Sequence, residues 1–154
     1  MNEIVISGTG VFTPKEKITN KELVEAYNSY AENFNLKNKD GIYKGDMKAL
    51  EMSSEEFIYN ASGIKNRYVM NKKGILDPNI MHPILEKRNN DEPSIMAEIS
   101  VFAAKKALEN AKKEPSDIDA VITACSNLER AYPAIAIEVQ QFLGIKGFAF
   151  DMNV

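Results

Sequence analysis

The chain has 154 residues, 44% apolar and 27% charged, with 19 basic against 22 acidic side chains; that is enough for one buried core and short for two domains. A net charge of -3 supplies no field for nucleic acid, and one Cys with one His excludes an internal disulfide and a four-ligand structural zinc site. Glu3 stands where a secretion signal would be basic, and no apolar run approaches the roughly 18 residues of a membrane span, so a cytoplasmic chain without nucleic-acid or membrane partners is expected.

Glu3 to Ser7 alternates like a short strand, and Gly8-Thr9-Gly10 closes it as a turn. Thr19-x-x-Glu22 has the spacing in which a hydroxyl and a carboxylate each satisfy a free helical N–H, and Leu23, Tyr27, Tyr30 and Phe34 then recur on one face. This predicts an amphipathic helix over about 19–34 whose aromatic stripe is core. The polar stretch 35–52, with Gly41 and Gly45, reads as an inserted loop holding at most one turn of helix. Ser53-x-x-Glu56 repeats the capping spacing before a short helix with Phe57 and Ile58, which Gly63 ends.

Arg67 to Met70 is a candidate strand, and 71–93, with its prolines and Asn89-Asn90, a second long loop. Ser94 caps a helix in which Ile95, Ile99, Phe102, Ala103 and Ala107 line one side, ending near Ala111. Ala120 to Cys125 is an apolar run of strand length. Pro133 suits a first helical turn, Ile135, Val139, Phe142 and Leu143 form a helical stripe, and Gly144 stops it before a second apolar run, Gly147 to Asp151. Strand, helix and strand in this compass make a βαβ unit with parallel strands buried on both faces, hence an α/β class. Val154 follows that strand directly, where a covering helix is expected, so the domain reads as incomplete.

Few side chains offer chemistry. Cys125 closes an apolar strand and reads as a small buried hydrophobe, and His82 lies in a loop; the pair is not expected to be a nucleophile and its base. Gly8-x-Gly10 lacks the third glycine of a dinucleotide loop, and Pro14 interrupts the helix that would receive a pyrophosphate. No cofactor is implied. Tyr132, at the mouth of the βα loop, is open between packing and ligand contact.

Several phrases in register carry a resemblance: Ile6-Ser-Gly-Thr-Gly-Val-Phe-Thr-Pro14, Thr19-Asn20 with Leu23, Ser54 to Phe57 leading to Ser62-Gly-Ile-Lys-Asn-Arg67, Asp117 to Ile122, and Ala131-Tyr-Pro133 through Leu143-Gly-Ile-Lys-Gly147 to Phe150-Asp151. In that order they resemble the N-terminal half of β-ketoacyl-acyl-carrier-protein synthase III, over about two thirds of the chain. The resemblance implies half of a thiolase-like αβαβα fold across 1–154, with 35–52 and 71–93 as insertions. It also implies an acyltransferase of fatty acid synthesis working as a homodimer, with an acyl-CoA or acyl-ACP primer, malonyl-ACP and acyl carrier protein as partners. Polyketide or quinolone chemistry on the same fold is the alternative, and a non-catalytic partner-binding module is the rival. No catalytic residue of the family falls in the chain: its nucleophilic Cys would lie about two residues past Val154, and Cys125 matches no catalytic position. Phe57 and Ala61 match the Trp and Arg that clamp the adenine of coenzyme A, and Tyr132 matches an aromatic residue that bounds the partner subunit's acyl pocket. By the resemblance, Phe57 and Tyr132 are the substrate-binding residues, and Tyr132 favours short acyl groups.

Overall fold

The computed structural model describes residues 3–152. They gather into two compact units, one comprising Met1–Phe12 with Lys87–Val154 and the other Thr13–Glu86.

The Thr13–Glu86 unit begins with a strand the sequence reading missed, β1 (Glu16–Thr19), paired antiparallel to β2 (Asn66–Val69) with Glu16 opposite Val69 and Thr19 opposite Asn66. Its pairing partner lies some fifty positions further along the chain by number, so no local pattern announces it. The capping box forms as expected: the Thr19 hydroxyl accepts the Glu22 N–H at 3.2 Å, and the Glu22 carboxylate accepts the Thr19 N–H at 2.8 Å. Helix α1 then runs over Asn20–Lys37, past the expected end at 34. Its buried face is Ala26 and Ala31, beside buried Ile18 of β1. The Tyr27, Tyr30 and Phe34 stripe is only half-buried and forms a ladder of tilted rings, which corrects the expectation that it is core.

The predicted loop at 35–52 is ordered. A short helix α2 (Lys39–Lys44) follows α1, and the chain then returns along α1 in extended form. Two asparagines, two helical turns apart on α1, hold it there. Asn28 donates to Ser53 O and accepts from Ser53 N at 3.1 and 2.8 Å; Asn35 does the same with Leu50, both at 2.9 Å. Each amide thus takes the place of a neighbouring strand. Helix α3 (Glu55–Ser62) is capped by the Ser54 hydroxyl, one residue after the expected Ser53, because Ser53 spends its backbone on Asn28.

In the other unit the expected strand Glu3–Ser7 does not form a ladder, and Ile4, Val5 and Ile6 are exposed. Nor is Gly8-Thr9-Gly10 a turn. It crosses helix α4 (Ile95–Ala111) so closely that a Cβ on Gly10 would fall on the Ala103 carbonyl oxygen and lie 2.6 Å from Ala107 N, and one on Gly8 would lie 2.8 Å from Ala111 N. Both glycines and the small residues Ala103, Ala107 and Ala111 are there for backbone approach. Asn110 and Lys106 donate to the Thr9 and Val11 carbonyls across the crossing.

The βαβ unit stands as expected: β3 (Ala120–Ala124) and β4 (Phe148–Met152) pair in parallel, with Ala120 opposite Phe148, and α5 (Ile135–Leu143) connects them. Ala97, Ile135 and Val139 form the core, with Val121 and Leu143 packed against it. Only one sheet face is covered. Ile122, Phe148, Phe150 and Met152 are exposed on the other, correcting the expectation of burial on both faces. Among the described residues no helix is long and apolar enough to cross a membrane.

Candidate functional site

Phe57 and Tyr132 belong to different units, and each is set on a surface of its own. Phe57 lies in the first turn of α3, where the Ser54 cap orients it, and two thirds of its surface is exposed. It stands at a groove of about 630 Å³ whose floor is Leu23, Val24 and Tyr27 of α1. The strapped segment contributes Met52 and Glu51, and Met81 reaches in from the second long loop. Ala61, the other expected clamp position, is exposed one turn further along α3 and carries no donor.

Tyr132 is 88% exposed in the loop between β3 and α5. The loop is fastened on its β3 side by two charged residues that both reach the start of α4. The Glu129 carboxylate accepts the Ile95 N–H at 2.7 Å, and the Arg130 guanidinium donates to Glu92 O at 3.1 Å and stands 3.9 Å from Glu138. Glu138 is buried on α5, and its carboxylate takes both the Ser94 hydroxyl, at 2.5 Å, and the Ser94 N–H, at 3.1 Å. The far end of the loop enters α5, whose first residues have no local cap because the N-cap is Ala134. Asp151 of β4 supplies one instead, its two carboxylate oxygens accepting the Ile135 and Ala136 N–H groups at 2.8 and 2.7 Å. With both ends held by carboxylates, Tyr132 is displayed to solvent.

Sequence reading missed Glu138, Asp151 and Arg130. The available signal was an acid at the end of the apolar run Phe148-Ala-Phe-Asp151 and another on the apolar stripe of α5, where a charge demands a partner.

Cys125 continues the β3 ladder, its N–H donating to Met152 O at 3.1 Å, and its Sγ accepts the Asn127 N–H at 3.4 Å. It is half-buried rather than fully buried, and packs against the Ala97, Ile135 and Val139 core. His82 is exposed, belongs to the other unit, and has its Nδ1 3.1 Å from Pro83 O. Neither has the neighbour that would activate a thiol or hold an imidazole as a base. Glu22 is strongly shifted: hydrogen bonds from Lys72, then from Thr19, hold its carboxyl at about 2 against an ordinary 4.5. That ties the start of α1 to the second long loop and is a structural clasp. Among the described residues no three His, Cys, Asp or Glu side chains gather as a metal site.

No family model matches the chain. The chain is 54% identical, over 85% of its length, to a beta-ketodecanoyl-[acyl-carrier-protein] synthase of Pseudomonas aeruginosa, and covers 37% of that protein. It is 28% identical over 97% of its length to a beta-ketoacyl-[acyl-carrier-protein] synthase III of Agrobacterium fabrum, of which it covers 33%. The chain thus spans about a third of the curated relatives it matches. Among solved structures it superposes on 3-oxoacyl-[acyl-carrier-protein] synthase III of Aquifex aeolicus with a TM-score of 0.63 and 24% identity, covering 97% of this chain and 34% of that one. The priming beta-ketosynthase of the R1128 polyketide pathway gives 0.64 at 19% identity, with 97% and 32% covered. These two show the fold, part of a thiolase-like α/β architecture.

Proposed function

We propose, from the similarity of this chain to the N-terminal part of β-ketoacyl-[acyl-carrier-protein] synthases III, that it forms that part of an acyl-thioester condensing enzyme. The 54% identity over 85% of the chain carries this reading. A Cys thiolate attacks the primer thioester and takes its acyl group, releasing the carrier thiol. Malonyl-carrier protein then loses carbon dioxide, its enolate attacks the acyl-enzyme, and the Cys thiolate leaves. In this reading the nucleophilic Cys is expected about two residues past Val154, and the 154-residue chain transfers no acyl group by itself. Cys125, half-buried against the core and without a charged partner, is no substitute.

The chain's own residues serve binding. Tyr132, held outward by the Glu129, Arg130 and Asp151 contacts, meets the acyl pocket of a second copy, so the whole protein is a homodimer. Phe57 meets the primer's carrier end. Because Ala61 supplies no guanidinium opposite that ring, an adenine clamp is absent and a carrier-protein-borne primer is favoured over acyl-CoA. The name of the Pseudomonas relative specifies a β-ketodecanoyl product, which corresponds to an octanoyl primer lengthened by one malonyl-derived unit. The bulk of Tyr132 instead favours a short primer, and the two readings are separable.

The test is mass spectrometry of the chain, and of a longer chain continuing through the family's C-terminal part, after incubation with acetyl or octanoyl thioesters on coenzyme A and on carrier protein, followed by malonyl-dependent turnover. The expected result is an acyl adduct on the longer chain alone, fastest with octanoyl-carrier protein. An adduct on Cys125, or a longer chain that never acylates, overturns the reading, and acetyl preferred over octanoyl returns the choice of primer to Tyr132.

A further inference from the structure

The last residues of the second long loop, 87–93, lie in the same unit as Tyr132, and they form a clasp. Asn89 and Glu92 close a turn on each other: the Asn89 N–H donates to the Glu92 carboxylate at 2.8 Å, and the Glu92 N–H to Asn89 O at 3.2 Å. Arg88 ties that turn to α4, donating to Pro93 O at 3.0 Å and pairing with Glu98 in the first turn of the helix. The carbonyl before it, Glu92 O, takes a second guanidinium, that of Arg130, at 3.1 Å. Two successive carbonyls are thus each held by an arginine, one from the long loop and one from the loop that carries Tyr132.

Arg130 stands two residues before Tyr132. Its side chain is 19% exposed and that of Glu138, 3.9 Å away, only 4%, so their attraction is little screened by water. A guanidinium is a planar fork of five donors, able to serve a carbonyl and a carboxylate together. Glu138 also accepts from Ser94, so Arg130 is caught between the 88–93 clasp and the start of α4. The Tyr132 ring, largely in solvent, has little around it to set its place, which must come from the backbone beside it. A ring on a fixed backbone is a stop of definite depth for a chain; a ring on a loose one gives way. We infer that Arg130 is a positioning residue, through which the 88–93 clasp fixes where Tyr132 stands and thereby how long a primer chain is taken. The inference rests on the acyl-pocket role proposed above for Tyr132, and it gives the end of the second long loop a purpose.

The experiment measures ¹⁵N relaxation on the 154-residue chain and primer profiles on the longer chain, with the same variants. The Ala131 and Tyr132 amides are expected at an order parameter of about 0.85 in the parent and below about 0.6 in Arg130→Met. Arg130→Lys keeps a cation beside Glu138, which protects folding, but lacks the fork and should fall between them. With acetyl, octanoyl and dodecanoyl thioesters, Arg130→Met should move kcat/KM about fivefold or more toward the longer chains, and Arg88→Met should move it in the same direction by less. In a Tyr132→Ala background no ring is left to place, so Arg130→Met should move the profile no further, an outcome that a general loss of stability does not produce. Low order already in the parent, order unchanged by both Arg130 variants, an unchanged profile, or an equal shift in the Tyr132→Ala background each overturn the inference. A longer chain that never acylates is the failure of the acyl-thioester reading and removes the primer role with it. Failure of the positioning itself is read on the 154-residue chain, where no substrate is needed.

Discussion

In the Thr13–Glu86 unit the two longer helices start on their own side chains: α1 on the Thr19 and Glu22 pair, α3 on Ser54. In the other unit α5 starts on no local side chain and borrows Asp151, 16 positions after Ile135, while α4 adds to its own Ser94 the carboxylate of Glu138, 44 positions away. A local cap forms as soon as its helix does, and stabilises that helix alone. A remote cap forms only when the sheet and the helix are already docked, so it couples helix to fold and also fixes the loop between them. The unit with remote caps is the one that presents Tyr132 on such a loop.

The largest expected effect tests whether contact between distant backbones, rather than local signals, holds the Tyr132-bearing unit. Gly10→Val should cost about 3 kcal/mol or more, since its Cβ has no space against the Ala103 carbonyl and the helix cannot yield; urea unfolding measures it, and a loss below about 1 kcal/mol would show that the segment is not docked on α4. Glu138→Ala should cost about 2–3 kcal/mol by leaving the buried Ser94 N–H without its acceptor, whereas Glu138→Gln, which keeps one acceptor, should cost less. Equal losses for the two variants would mean that the acceptor is not what Glu138 provides.

The comparison of cap types is sharpened by Asp151→Ala, expected to cost about 1–2 kcal/mol. Adding Ala134→Ser places a hydroxyl at the empty N-cap and should recover about half of that loss; no recovery would show that Asp151 acts through something other than the cap. In the other unit Asn35→Ala should cost about 1 kcal/mol by releasing Leu50, with the backbone amide of Leu50 exchanging faster with deuterium than in the parent.

The smallest effect is a pH dependence. Because the folded Glu22 carboxyl titrates at about 2, below its ordinary 4.5, its stabilising contribution is complete above pH 4.5 and is lost as pH falls from 4.5 through about 2. Glu22→Gln should therefore flatten the acid limb of the thermal-stability curve over that interval, by lowering stability above pH 4.5 toward its acid value while leaving the acid end unchanged. An acid limb of unchanged slope would assign it to other carboxylates.

Features signalled by local pattern were legible: the α1 capping box, the stop of α5 at Gly144 in left-handed φ 75, and the βαβ order. The same short range misplaced the α3 cap by one residue, since the competition for Ser53 comes from Asn28 on another element. It also made a turn of Gly8-Thr9-Gly10, whose glycines answer to a helix about a hundred positions away. Phe57 and Tyr132 were marked by position and resemblance, but the groove beside Phe57 was invisible, because its walls come from α1, α3 and two segments with no periodicity of their own.

By itself, then, the sequence determined where the four longer helices lie and which two strands run parallel, because propensity and capping act through near neighbours. Only the tertiary structure decided that 3–7 forms no ladder, that Asp151 and Glu138 hold helix starts, and that the two long loops share a groove with Phe57. Strand pairing, remote capping and cavity walls depend on which distant backbone arrives beside a given residue, and that is a property of the packed chain rather than of any segment of it.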